Sequence, residues 1–391
     1  MKVPAHHAQE TQRHRAARWA VKAACVAVLG AALGGCAWFG ASKPKPLDLG
    51  PNVVQLPIRQ AWHVQAGALK DVSLSTHVRG DEVFVAAADG TVTAINAATG
   101  QPSWRANVGK PLLTGVGSDG VTTAVVSKTN ELVGIVGGKV AWTKRLNAGA
   151  YTAPLVAGAR VFLITADRTV AAYDARTGQP LWSQPRTGEP LVLRQPGVLQ
   201  AHGNTLLVGM AGRLAALHPD NGSVLWEAPL ASPRGTNDVE RLVDLVAPTV
   251  LEGNVLCGRA FQASVGCVDV TRGQILWTQS ARGSVGVGGD AELLAGAESN
   301  GIVQVWNRAD GKRLWSVERL QHRRLSAPLI LGRSVVVGDD SGLVHVMAKS
   351  DGSPLNRLQT DGSGVAAAPV VAANTLVVVT RNGGVYGFRP E

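Results

Sequence analysis

Short apolar stretches bounded by Gly, Asp or Asn recur along the chain. Residues 83–86 form one such stretch, and their β-branched and aromatic side chains predict a buried strand. Asp89 and Gly90 follow as a hairpin turn, because glycine adopts the positive φ that such turns require. Residues 91–95 predict the returning strand, and Trp104 lies at the start of an outer one. The pattern therefore predicts small antiparallel sheets rather than helices.

The same unit recurs with a tryptophan near its end. A period near 40 residues with four short strands per unit is typical of a β-propeller blade. One blade buries both of its faces only when neighbours stack against it in a ring. The tryptophans, separated by 38, 40, 44, 51 and 38 residues, are Trp104, Trp142, Trp182, Trp226, Trp277 and Trp315.

The number of blades follows from how the ring closes. Residues 368–391 supply three strands and end where an outer strand is due, whereas residues 61–64 resemble that missing strand. A similar unit near position 356 lacks its tryptophan. We predict an all-β, eight-bladed β-propeller of four-stranded antiparallel blades over residues 58–391, closed by the N-terminal strand. Seven blades is the alternative, because the unit that ends at Trp142 is irregular.

The amino terminus has the pattern of an export signal. Residues 1–22 are polar and basic, and the apolar run at 23–33 is too short to span a bilayer. We predict a signal peptide over residues 1–35. Leu33-Gly34-Gly35-Cys36 resembles the lipobox of bacterial lipoproteins, which implies that Cys36 is acylated and becomes the first mature residue. Ordinary signal cleavage beside an incidental cysteine is the alternative.

The segment after Cys36 predicts how the protein is held. Residues 36–57 contain four prolines and read as a semi-extended tether to the lipid anchor. In lipoproteins, the Ala37 that follows the cysteine implies delivery to the outer membrane. The predicted location is therefore the outer membrane, with the protein facing the periplasm.

The formal net charge of +10 falls once the predicted signal is removed. Five basic residues and one acidic residue lie in the first 35 positions, so the remaining chain carries +6. Its positive residues are interspersed with acidic ones and form no stripe of the kind that binds nucleic acid. The sequence predicts no nucleic-acid partner, while an acidic protein or an anionic membrane surface fits the charge.

Two cysteines remain in the predicted propeller, Cys257 and Cys267. They lie on successive predicted strands on either side of a turn, in a compartment that permits disulfides. Either a cross-strand disulfide or two buried free thiols fits this placement. Two cysteines alone make too small a ligand set for us to predict a metal site.

Catalytic motifs are missing from the sequence: there is no GxSxG, HExxH, Walker loop or CxxC. The repeat resembles the tryptophan-docking repeat of quinoprotein dehydrogenases, eight-bladed propellers that use PQQ. The adjacent cysteine pair of those enzymes is absent, and no calcium-ligand set can be assigned. We therefore predict no catalytic residue and no cofactor. A PQQ-dependent dehydrogenase, or a propeller that binds another envelope ligand in its central channel, is the alternative.

Export signal, anchor and repeat together resemble the BamB family of outer-membrane protein assembly lipoproteins. The resemblance includes residues 191–194 (LVLR), 240–244 (ERLVD) and 322–328 (HRRLSAP). It implies a non-enzymatic scaffold of the β-barrel assembly machinery that binds POTRA domains of the central barrel subunit and aids folding of outer-membrane precursors. The positions that it carries over as partner contacts are Leu191, Leu193, Arg194 and Asp244. A second acidic position of the family is Val246 here.

The repeat spacing independently indicates the same region. The interval from Trp226 to Trp277 is the longest, and insertions in repeat proteins often form loops on the binding face. Arg241 in this insertion is predicted as a further partner contact, because arginine is enriched at binding hot spots. An ordinary variable loop, with Leu191 and Leu193 buried in a strand, is the alternative.

Overall fold

The computed structural model describes residues 44–69, 72, 75–186, 191–233, 235–238 and 240–391. Regular structure in these residues consists of strands and turns. No helix in this part of the chain has the length and hydrophobicity to cross a membrane. The predicted signal peptide (1–35) and Cys36 lie outside the described residues. From Pro46 onward the chain forms one compact unit.

The strands appear in chain order and group into eight blades. The first strand, β1 (Ile58–Gln65), belongs to blade 8. Blades 1 to 4 consist of β2 (His77–Arg79), β3 (Glu82–Ala86), β4 (Thr91–Asn96) and β5 (Pro102–Asn107); β6 (Gly117–Ser118), β7 (Thr122–Val126), β8 (Glu131–Val136) and β9 (Lys139–Arg145); β10 (Leu155–Ala157), β11 (Arg160–Ile164), β12 (Thr169–Asp174) and β13 (Pro180–Pro185); and β14 (Leu199–His202), β15 (Thr205–Met210), β16 (Arg213–Leu217) and β17 (Val224–Pro229).

The second half of the chain repeats this arrangement. Blades 5 to 8 consist of β18 (Leu245–Glu252), β19 (Val255–Ala260), β20 (Ser264–Asp269) and β21 (Gln274–Ser280); β22 (Val287–Gly289), β23 (Leu293–Ala297), β24 (Val303–Asn307) and β25 (Arg313–Val317); β26 (Leu329–Leu331), β27 (Ser334–Gly338), β28 (Leu343–Ala348) and β29 (Pro354–Gln359); and β30 (Val370–Ala372), β31 (Thr375–Val379) and β32 (Gly384–Pro390), completed by β1.

Each blade is a four-stranded antiparallel sheet, and the inner strands of successive blades contact one another around a ring. In blade 8, β1 pairs with β32 from Ile58 opposite Pro390 to Gln65 opposite Gly384. The prediction of an eight-bladed propeller closed by its N-terminal strand is confirmed. The seven-bladed alternative is wrong, because the irregular unit before Trp142 forms the complete sheet β6–β9.

The antiparallel order gives the ring two distinct faces. One face carries the connections between consecutive blades and the turns between the second and third strands; we call it the connection face. Backbone hydrogen bonds join these two sets of loops, for example from Leu112 N to Ala88 O (3.3 Å) and from Ala231 N to Gly212 O (2.9 Å). The opposite face carries the other two turns of blades 1 to 7 and the first turn of blade 8. Loops on the connection face are therefore held by their neighbours.

The repeated tryptophan connects a blade with the one that follows it. The indole of Trp182 in blade 3 donates a hydrogen bond from Nε1 to Pro219 O (2.9 Å) in the third turn of blade 4. Its ring lies so close to Gly222 in that turn that a Cβ there would be 2.6 Å away. The tryptophans that overlap a facing glycine in this way are Trp62, Trp142, Trp182, Trp226, Trp277 and Trp315. The sequence period is therefore a period of blade-to-blade contacts.

Cys257 and Cys267 lie directly opposite each other on β19 and β20. Both residues are fully buried in the apolar cluster between blades 5 and 6. Their sulfur atoms are joined in a disulfide. The described residues contain no group of three His, Cys, Asp or Glu side chains placed to hold a metal ion.

Candidate functional site

Asp244 joins three blades on the connection face. It ends the connection from blade 4 to blade 5, and its Oδ1 accepts hydrogen bonds from Arg168 Nη1 (3.0 Å) and from the backbone N of Ala211 (2.9 Å). Its Oδ2 accepts from the backbone N of Leu193 (3.2 Å). Because the carboxylate is largely buried and bound by these donors, Asp244 positions the surrounding loops.

Arg168 completes this arrangement from blade 3. Its guanidinium is nearly buried, pairs with Asp244, and donates from Nη2 to the carbonyl oxygen of Leu191 (2.7 Å). The residue lies in the turn between β11 and β12 with a φ of 61°. Blade 1 has Gly90 at the equivalent turn position, with a φ of 100°. A long side chain in the left-handed region is uncommon, and here it places the guanidinium against Asp244.

The residues that face solvent here are Leu191 and Arg194. Leu191 is 41% exposed. The guanidinium of Arg194 lies 5.5 Å from the centre of the Tyr151 ring, a cation–π contact that orients it. Leu193 is half-buried between them, above a shallow pocket lined by Tyr151 and Asp244. We call Leu191, Leu193 and Arg194 the candidate surface.

Arg241 lies in the same connection as Asp244 but contacts its own segment. Its Nη2 donates to Asp238 Oδ1 (2.8 Å). Glu240 accepts hydrogen bonds from Thr236, chiefly from its backbone N (2.8 Å), and these lower the pKa of the Glu240 carboxyl. Asp244 thus bonds to the segment that carries Leu191, Leu193 and Arg194, while Arg241 bonds to Asp238 within its own segment.

Val246 occupies the second acidic position of the resemblance. It is 1% exposed and pairs with Arg259 across β18 and β19. A buried valine presents no charge to a partner. The electrostatic part of any contact at this surface therefore depends on Arg194.

Two residues of this site were absent from the sequence prediction, Arg168 and Tyr151. Both lie in blade 3 or the connection before it, distant in sequence from Asp244. The repeat does mark Arg168: residues 166–169 read ADRT, whereas the equivalent residues 88–91 read ADGT. A bulky residue at a turn position that requires positive φ is unusual and indicates a local role.

A second buried polar network stabilises the connection face at blade 7. Asp339 Oδ2 accepts from His345 Nε2 (3.0 Å) and Arg323 Nη1 (3.1 Å), while Oδ1 accepts from the backbone N of Leu343 (2.9 Å) and from Ser341. Burial raises the pKa of Asp339, but the hydrogen bonds outweigh it and lower the pKa to about 2. Arg323 belongs to the sequence segment 322–328 that resembles the BamB family.

Acid is expected to weaken the fold through Asp339. The folded-state pKa lies below the unfolded value of 3.8, so the unfolded chain binds the proton first as the pH falls. The carboxylate therefore contributes about 2 kcal/mol above pH 4, which is lost between pH 4 and pH 2. The free energy of unfolding of Asp339→Asn, measured between pH 4 and pH 2, should lack this pH dependence. The exposed neighbour variant Asp340→Asn should keep it; equal slopes in both variants would contradict the assignment.

The centre of the ring encloses a cavity of about 850 Å³. Residues of the inner strands line it, together with Arg194, Arg324 and Arg381 near the connection face. The lining is mixed polar and apolar and contains the same Arg194 as the candidate surface. The cavity is large enough for a ligand, but its side chains do not indicate a particular one.

Comparison with known proteins decides the family. The family described as outer membrane protein assembly factor BamB matches residues 88–317 and 299–391. A protein named outer membrane protein assembly factor BamB, from Burkholderia pseudomallei (strain K96243), is 37% identical over 96% of this chain and 99% of its own length. The chain belongs to the BamB family. The resemblance inferred from the repeat and the anchor is confirmed.

Solved structures agree on the fold. BamB from Moraxella catarrhalis superimposes with a TM-score of 0.77 at 22% identity, over 85% of this chain and 99% of that one. Quinohemoprotein alcohol dehydrogenase from Comamonas testosteroni gives a TM-score of 0.67 at 15% identity, over 89% of this chain and 80% of the other. Similarity at this level shows a shared propeller and says nothing of shared chemistry.

Proposed function

We propose that this BamB-family chain is a non-enzymatic scaffold subunit of the outer-membrane β-barrel assembly machinery. Its candidate surface binds POTRA domains of the central barrel subunit, and the assembled complex aids the folding and insertion of outer-membrane precursors. Cys36 carries the lipid that anchors the protein to the outer membrane, facing the periplasm. Family membership supports the process, and the geometry around Asp244 supports the surface.

The observation that carries the proposal is the Asp244–Arg168 pair. It fixes the backbone at Leu191 and Leu193, in a segment where the side chains of Leu191 and Arg194 are exposed. A surface held in place before binding loses little conformational entropy when a partner docks. The membrane anchor raises the local concentration of the protein, so a contact of modest affinity is sufficient.

Changing the candidate surface is expected to separate the protein from its partner without unfolding it. In Leu191→Asp with Arg194→Glu, recovery of the POTRA-bearing subunit by copurification should fall at least 10-fold. That loss is typical when an apolar and an arginine hot spot are removed together. The melting temperature should stay unchanged, because both side chains are exposed.

The matched control places the same two charge changes on the opposite face. Leu225→Asp with Arg272→Glu alters an exposed leucine on β17 and an exposed arginine in the third turn of blade 5, and recovery should be normal. Asp244→Asn should reduce both recovery and melting temperature, because it releases the loops. Normal recovery with the Leu191 and Arg194 double variant would refute the surface and leave the fold intact.

A further inference from the structure

The segment before β1 is bound to the outer edge of blade 7. Residues 47–57, which we call the N-terminal strap, run from the connection face to the opposite face. Leu47 N donates to Gln321 O (3.4 Å) in the connection before blade 7. Near the other end, the backbone N atoms of Gln55 and Leu56 donate to Leu355 O (2.8 and 3.2 Å) on β29. The strap therefore follows a defined path.

Three arginines from the ring bind the backbone of the strap. Arg323 Nη2 donates to Leu47 O (3.2 Å). Arg319 Nη2 donates to Leu49 O (3.1 Å), and Arg357 Nη2 donates to Gly50 O (2.8 Å). Charge-assisted bonds of this kind are stronger than neutral ones. Arg323 is itself held by Asp339, so the strap is linked to the buried network of blade 7.

Two leucines of the strap pack into the ring. Leu49 contacts the cluster between blades 6 and 7, and Leu56 contacts the cluster between blades 7 and 8. Val53 and Val54 between them are exposed, at 41% and 59%. Leu49 and Leu56 are half-buried, so the strap has one side that contacts the ring and one that faces solvent.

The strap lies where the blade-to-blade tryptophan is missing. Asn356 on β29 takes the position that a tryptophan occupies in the other outer strands. A tryptophan there would face blade 8, whose third and fourth strands are the last and first strands of the propeller and share no turn. Asn356 instead accepts from Asn52 Nδ2 (3.0 Å) and donates from Nδ2 to Leu56 O (2.8 Å). The strap thus seals the one junction that lacks a tryptophan.

We propose that the strap fixes the exit of the lipid-bearing segment at Leu47 and so turns the connection face toward the membrane surface. Cys36 lies 11 residues before Leu47, and an extended chain of this length spans at most about 40 Å. If β1 were the first bound element, the chain would leave from the opposite face with a reach of about 75 Å and could present either face.

This inference rests on the proposed lipidation of Cys36 and adds an orientation to it. The candidate surface lies on the same connection face, because residues 191–194 belong to the connection between blades 3 and 4. A blade strand is about 20 Å long, so the two faces differ measurably in distance from the bilayer. The strap would therefore hold the candidate surface on the membrane side of the ring.

Energy transfer to labelled lipid tests the orientation. Ser299→Cys places a dye on the connection face of blade 6, and Ser350→Cys places one on the opposite face of blade 7; both serines are exposed. The full lipoprotein is reconstituted in phosphatidylethanolamine and phosphatidylglycerol vesicles that carry a headgroup acceptor. We expect stronger transfer from position 299. Equal transfer, or stronger transfer from position 350, would overturn the proposal.

Stability measured in detergent tests the strap separately from the lipid. Leu49→Ser with Leu56→Ser should lower the melting temperature by about 5 °C and expose the amides of residues 47, 55 and 56 to hydrogen exchange. Val53→Ser with Val54→Ser, on the solvent side, should change neither. If the two double variants behave alike, the strap is not docked. A protein that fails to bind vesicles but passes this test would instead refute lipidation at Cys36.

Discussion

Replacing Glu298 with alanine is expected to lower the free energy of unfolding by about 3–5 kcal/mol. Glu298 lies in the turn between β23 and β24, and its Oε1 is 2.9 Å from Nη1 of Arg259 on β19 of the neighbouring blade. The side chain of Arg259 is fully buried. Without the carboxylate, a buried guanidinium loses its counter-charge, which is among the largest costs that a single substitution causes.

The guanidinium of Arg259 is closely surrounded by neighbouring residues. Its guanidinium occupies a slot beside two glycines; a Cβ at Gly283 would lie 1.4 Å from Nη1, and one at Gly296 would lie 2.1 Å from Nη2. Burial lowers the pKa of Arg259, and the charge of Glu298 opposes that shift. The guanidinium therefore fills a buried space that these two glycines leave open, with Glu298 as its counter-charge.

Chemical denaturation of three variants tests this expectation. The control variant Glu318→Ala, at an exposed glutamate after β25, should change the free energy of unfolding by less than about 0.5 kcal/mol. Combining Glu298→Ala with Arg259→Met should recover most of the loss, because removing both charges also removes the cost of burying one. A loss below about 1 kcal/mol in Glu298→Ala alone would show that the Arg259–Glu298 pair does not stabilise the contact between blades 5 and 6.

The sequence was sufficient to predict the ring because one physical requirement is repeated. Seven of the eight blades have a tryptophan on the outer strand that faces the next blade, and this residue recurs about every 40 positions. The eight outer strands therefore lie where the repeat places them, including β1 around Trp62. The missing tryptophan at position 356 also has a structural reason: the third and fourth strands of blade 8 share no turn against which an indole could pack.

The polar pairs were not predictable in the same way. Arg168 and Asp244 are 76 residues apart, and Arg259 and Glu298 are 39 residues apart on neighbouring blades. Each pair departs from the repeat at both positions, so no period marks it. Their partners become visible only when the blades stack. The resemblance supplied Asp244, whereas its internal role in binding Arg168 required the structure.

The strap illustrates a different limit of sequence interpretation. Its prolines and lack of periodicity favour a tether, and the prediction of a tether over residues 36–57 remains a prediction. The bonds to residues 47–57 are made largely to backbone carbonyl and amide groups, which any sequence supplies. The residues that place this segment are the arginines of blade 7 and of the connection before it, far along the chain.

Trp182→Ala is expected to lower the free energy of unfolding by about 3 kcal/mol, the second largest effect. The substitution removes the ring that fills the space against Gly222 and Phe162, whose ring centre lies 6.1 Å from that of Trp182. It also leaves Pro219 O without its indole donor. Removal of a tryptophan from a packed site costs about 3–5 kcal/mol, and the partial exposure of this ring places it at the lower end.

The neighbouring residue supplies a control on the same strand. Leu181 is 49% exposed on β13, so Leu181→Ala should change the melting temperature little, while Trp182→Ala should lower it by several degrees. Gly222→Ala should destabilise as well, because its φ is +72° and its Cβ would overlap the indole. If the Gly222→Ala and Trp182→Ala variants have the same melting temperature as Leu181→Ala, the recurring indole does not hold neighbouring blades together. In that case the 40-residue period would reflect the internal folding of each blade, and ring closure would depend on the apolar clusters alone.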